Sequence, residues 1–149
     1  MARFWSPVGD SASLFGTSYT VGGGTDGTQP TFTGDPLFTG SYIRIGNLVH
    51  FEIDVDFDNI TSFGTGQYYL TLPFAAADED SFRGGSLEDF SDSDEYHMTG
   101  HTEAGSTTMT LYFSDKVASG VQDNPFTFEN PITLTTADSF HISGTYIAQ

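Results

Sequence analysis

Apolar and polar residues alternate with a strict period of two across residues 48–58, LVHFEIDVDFD. Val49, Phe51, Ile53, Val55 and Phe57 fall on one side of an extended chain, with His50, Glu52, Asp54, Asp56 and Asp58 on the other. Successive side chains of a strand point to opposite faces, so the pattern predicts a half-buried strand. SYIRI precedes it across Gly46-Asn47, a pair suited to a two-residue hairpin. Further strands are predicted at 66–72, 95–101, 106–113 and 139–147, with shorter pieces at Thr31–Thr33, Phe126–Phe128 and Ile132–Leu134. EAGS at 103–106 reads as a turn, and no long window carries a helical repeat. In NITSFGTGQYYLTLPF, residues 59–74, Gly64 and Gly66 permit a tight turn and the Thr61 and Thr65 hydroxyls can satisfy turn backbone. Beyond that turn Tyr68, Leu70 and Leu72 share one face, Tyr69 and Thr71 the other, and Pro73 closes the run. About eight short strands separated by turn signals predict an all-β fold, an antiparallel β-sandwich that is jelly-roll-like.

The pattern divides the chain into two. Residues 1–40 are mostly glycine, proline, serine and threonine punctuation, as in VGGGTDGTQPTFTGDP, and read as an extended N-terminal arm. Phe4, Trp5, Leu14, Phe15, Tyr19, Phe32, Leu37 and Phe38 recur through it, and linkers without structure rarely carry so many large apolar groups. Such an arm is expected to dock its aromatics, and Phe4, Trp5, Leu14, Phe15 and Tyr19 are the candidate interface residues. Residues 41–149 form the expected β-sandwich domain. Within it, residues 76–95 carry Asp78, Glu79, Asp80, Glu88, Asp89, Asp92, Asp94 and Glu95 and read as a long acidic loop.

Charge narrows the function classes. Only 4 Lys and Arg stand against 20 Asp and Glu, giving a formal net charge of −16. Nucleic-acid binding needs clustered cations to displace counterions, so DNA and RNA are excluded as partners. The chain has no cysteine, hence no disulfide framework, thiolate metal site or thiol nucleophile. MARFWSPVGD lacks the apolar core of a signal peptide, and no apolar run is long enough to cross a bilayer, so no membrane association is expected.

Candidate chemistry is sparse. Asp54, Asp56 and Asp58 open like a calcium-binding D-x-D-x-D loop, but Asn59 and Thr65 stand where that loop needs Gly and Glu. A solvated strand face is the better reading. The acidic stretch offers surface Ca²⁺ candidates in Asp78, Glu79 and Asp80, or in Asp92, Asp94 and Glu95, against the plainer reading of a wet charge run. His97 and His101 have zinc-chelating spacing on a helix, yet on a strand they lie ~13 Å apart. His50 and His141 complete the histidines. No G-x-S-x-G elbow exists, and GGGTDG has no following helix to cradle phosphate. No catalytic residue and no cofactor are assigned, and no enzymatic activity is expected.

GSYIRIGNLVHFEIDV at 40–55, GTGQYYLTLPF at 64–74 and FHISGTYI at 140–147 resemble a β-rich module of tailed-phage virion structural proteins, especially those of marine phages and cyanophages. With its glycine-rich lead-in the resemblance spans roughly residues 21–147; the acidic stretch after Pro73 is not part of it. Modules of this kind occur at the ends of tail-fibre-like proteins and as small virion proteins. The resemblance implies a virion location and no catalytic residues. Together with the aromatic arm and the short chain, it favours a capsid cement or decoration protein, expected as a homotrimer, contacting the major capsid protein or other virion proteins. The alternative is a tail-fibre or receptor-binding tip that recognises host glycans through aromatics such as Tyr96 or Tyr112.

Overall fold

The computed structural model describes residues 16–90, 94–117 and 120–149, with the side chains of 115–122 excepted. Phe4, Trp5, Leu14 and Phe15 of the expected interface therefore lie outside the described residues, as does Asp92. Among the described residues there is no helix. The strands in chain order are β1 (Thr17–Tyr19), β2 (Gly23–Thr25), β3 (Thr31–Phe32), β4 (Leu37–Ile45), β5 (Leu48–Asp56), β6 (Ile60–Ser62), β7 (Tyr68–Thr71), β8 (Asp80–Asp89), β9 (Asp94–Thr102), β10 (Thr108–Val117), β11 (Gly120–Pro125) and β12 (Ser139–Ile147).

Ten of these strands make one antiparallel sheet in the order β1-β4-β5-β12-β8-β9-β10-β7-β2, with β11 attached to β10; β3 and β6 form a small second sheet. The fold is thus all-β and antiparallel. Its layering arises because the large sheet curls into a half-barrel and brings its two flanks together over one core. Residues 19–23 stitch those flanks. The Tyr19 hydroxyl donates to Thr71 O at 3.2 Å, and the Gly22 N–H donates to Thr71 Oγ1 at 2.7 Å. Tyr19 and Tyr42 meet edge to face at 6.0 Å. Tyr42 meets Phe74 in the same way at 5.0 Å. β4 runs across residue 40, the expected boundary between arm and domain, and β1 and β2 pair with β4 and β7.

The alternation in β5 decides which face is core. Val49, Phe51, Ile53 and Val55 are buried, while Leu48, His50, Glu52, Asp54 and Asp56 are exposed. β5 pairs along its whole length with both β4 and β12, and Ile45 opposite Leu48 closes the hairpin over Gly46-Asn47. The turn at 64–66 also forms as read, with Gly64 and Gly66 at φ 71 and 96. Thr65 Oγ1 accepts from the Thr28 N–H at 3.1 Å, whereas Thr61 pairs with the Thr31 hydroxyl instead of backbone.

Within residues 76–95, Asp80–Asp89 and Asp94–Glu95 are strand, which corrects the reading of this stretch as one long loop. β8 and β9 run as an antiparallel hairpin from Asp80 opposite Thr102 to Asp89 opposite Asp94. The register shifts between Phe82 and Gly85, so Arg83 and Gly84 together oppose Thr99. This β-bulge breaks the period of two: Phe82 and Leu87, an odd number of residues apart, are both buried. β11 was likewise not foreseen, and the 126–128 and 132–134 pieces contribute no strand.

Aromatic packing fixes the curl. Phe51 meets Phe82 at 4.9 Å and Tyr146 at 6.0 Å, both edge to face. Phe57 contacts Phe63, Tyr68 and Phe140, and Phe126 bridges Tyr68 and Phe140. The Phe82 ring lies over two glycines of neighbouring strands. A methyl at Gly144 would intrude on that ring and sit 3.0 Å from Phe51; one at Gly100 would sit 2.8 Å from the Met109 sulfur. Gly144→Ala is therefore expected to destabilise the fold by about 1–3 kcal/mol through overpacking, read as a lower urea midpoint. An unchanged midpoint would contradict this packing.

Burial pushes the Tyr19 phenol well above the ordinary tyrosine range, with the Tyr146 phenol adding to it, and burial does the same to Tyr68. Tyr146 is also raised by burial, partly offset by its bond to Phe74 backbone and by Arg44. The unfolded phenols ionise near pH 10 while the folded ones keep their protons. The stability they contribute is complete below about pH 10 and is lost as pH rises towards the folded values. Urea midpoints should fall above about pH 10 and stay level just below it, a trend that denaturation at stepped alkaline pH would check.

Candidate functional site

Outward-facing positions of β4, β5, β12, β8 and β9 line up in register. One row runs Leu37, Asp56, Ser139, Glu88, Glu95; the next runs Thr39, Asp54, His141, Ser86, His97. Neither row carries lysine or arginine. His141 Nδ1 lies 2.8 Å from Asp54 Oδ1, and His50 Nδ1 lies 2.9 Å from Thr145 Oγ1, with Glu52 3.8 Å from its other ring nitrogen. Asp54, Asp56, Ser86, Glu88, Ser139 and His141 line a shallow cavity of about 250 Å³ on this face. At the hairpin end the same face turns apolar. Ile45, Leu48 and Ile147 are in register across β4, β5 and β12 and are 72%, 46% and 46% exposed.

A second cavity, about 270 Å³, sits over the bulge in β8. Ser81, Arg83, Thr99, Gly100, His101, Tyr112 and Asp123 line it. Its polar groups come from four strands, brought together by register: Ser81 is opposite His101, and Thr99 is opposite Tyr112. His101 is engaged at both ring nitrogens, with Ser81 Oγ 3.1 Å from Nδ1 and Glu79 Oε1 3.4 Å from Nε2. Glu79 is 72% exposed, so water competes for it and its contact with His101 on the cavity rim is weak. Ser114 Oγ donates to Asp123 Oδ1 at 2.8 Å and fixes that carboxylate.

The residues singled out by sequence are distributed as follows. Tyr19 packs against its own chain in the flank contact described above. Among the described residues no three His, Asp or Glu side chains converge as a cation site requires. Asp78, Glu79 and Asp80 diverge: Glu79 reaches His101, and Asp80 accepts from the Ser81 N–H at 2.8 Å. Asp94 and Glu95 stand opposite Asp89 and Glu88 across the hairpin. His97 and His101 both lie on β9 and have different neighbours, Ser86 and Ser81. Tyr96 is not an outward aromatic; it stands opposite buried Leu87 and packs on the core. Tyr112 does face the second cavity. Arg83 and Asp123 carried no signal in the sequence, because only the bulge and the β10–β11 pairing bring them together.

No family model matches the chain, and neither does any curated protein or solved structure.

Arg83 is exposed, and the His141–Asp54 pair is 42% and 70% exposed. Arg83→Ala and His141→Ala should each leave folding stability within about 0.5 kcal/mol of the parent in urea denaturation. A larger loss would place these side chains in the scaffold and not on a contact surface.

Proposed function

We propose that the chain is a virion structural protein, a capsid cement or decoration protein that acts as a trimer on the head. The observation that carries this reading is the outward sheet face: two rows of acids, histidines and hydroxyls without a cation, ending in the apolar row Ile45, Leu48, Ile147. Exposed apolar groups beside a single-signed polar field are features of a contact surface. The partner that complements it is a basic lattice surface, as the major capsid protein would present. The sequence resemblance to phage virion modules supports the same assignment.

A second reading, a fibre tip that recognises host glycans, is favoured by Tyr112, which lines a polar cavity of small-ligand size. The two readings separate on assembly. Purified protein mixed with expanded capsids lacking it should co-pellet at stoichiometric amounts, and the bound fraction should fall as salt screens the acidic face. Failure to pellet at low salt overturns the decoration role. Native mass at micromolar concentration should give a trimer; a monomer overturns that part of the proposal.

A further inference from the structure

We propose that the cavity over the β8 bulge binds a small acidic saccharide, a single pyranose ring bearing a carboxylate, which Arg83 clamps. The proposal rests on the second reading above and narrows it to a ligand class and a site.

The bulge is the starting point. It places Arg83 and Gly84 together opposite Thr99, so the outward Arg83 has a glycine and no second side chain beside it, while Phe82 remains in the core. Bulges of this kind recur next to active sites. Among the described residues the ion pairs all run through histidine, and none uses Arg83. A guanidinium presents a planar fork matched to a carboxylate, and a bidentate pair of this kind fixes orientation as well as adding affinity.

The rest of the lining suits a polyhydroxylated ring. Asp123, held by Ser114, is an acceptor for sugar hydroxyls, and the Thr99 and Ser81 hydroxyls add further donors and acceptors. Tyr112 supplies an apolar body with a polar tip, the combination that contacts a sugar's C–H face and its hydroxyls together. A cavity of about 270 Å³ falls just under the range of about 300–1,000 Å³ that holds drug-sized ligands, which limits the occupant to about one ring. Charge disfavours polyanions. One free guanidinium faces Asp123 and nearby Glu79 on a chain of net charge −16, so a phosphate or a polyanion meets more repulsion than attraction.

The test is an amide-resolved NMR titration of the full chain with glucuronate, glucose and acetate. Glucuronate should shift the Gly84, Gly85 and Gly100 amides saturably, with glucose and acetate each at least about tenfold weaker. Arg83→Gln should weaken glucuronate by about tenfold and leave glucose unchanged, while Tyr112→Ala should weaken both sugars. A parental spectrum away from the cavity shows that each variant is folded. If glucose binds as well as glucuronate and Arg83→Gln changes neither, the acidic specificity is overturned while glycan recognition stands. If acetate matches glucuronate, the site takes a carboxylate alone and the saccharide is overturned. If neither sugar shifts these amides at millimolar concentration, the proposal and the glycan reading of this cavity fail together.

Discussion

The seating of Phe82 against Gly100 and Gly144 is the constraint on which the architecture depends. Two strands flanking β8 give up their side chains at the point where one ring lies down, and that ring then meets Phe51 and Tyr146 edge to face. Edge-to-face aromatic contacts contribute beyond the area they bury, and glycine beneath a ring lets backbone and ring approach closely. The curl of the sheet follows from this close approach. The bulge begins directly after this ring, where Arg83 and Gly84 together oppose Thr99.

One strand therefore serves two environments. Inside, Phe82 and Leu87 complete the core; outside, Ser81 and Arg83 border one cavity while Ser86 and Glu88 border the other. The two cavities differ in charge. The one over β5 and β12 is lined by carboxylates and a histidine, and the one over the bulge pairs an arginine with a carboxylate and a phenol. A single curled sheet can present both because adjacent strands carry polar groups of different character on the same face.

Much of this was legible in the chain itself where the period of two is unbroken. The β5 alternation located the core face, Gly46-Asn47 marked the hairpin, and FHISGTYI marked the strand that joins β5 to β8. β8 was hidden because its bulge displaces the inward positions by one, so SFRGGSLED reads as charged punctuation. β11, GVQDNP, has no alternation and exists through pairing with β10. The same reason concealed the bulge cavity. Ser81, Arg83, His101, Tyr112 and Asp123 are far apart in sequence and become neighbours only through register, whereas the H-x-x-x-H spacing that is conspicuous in sequence comes to nothing on a straight strand.

The position of β12 has a consequence for how the molecule comes into being. It lies between β5 and β8, pairing with both, yet it follows each of them in the chain by more than forty residues. During synthesis the β4–β5 and β8–β9 hairpins emerge with open inner edges on β5 and β8, and before β12 the two halves are joined only at the far flank, through residues 19–23. Closure waits for the segment from Ser139 onward, so the sheet assembles late and in one step, through contacts distant in sequence.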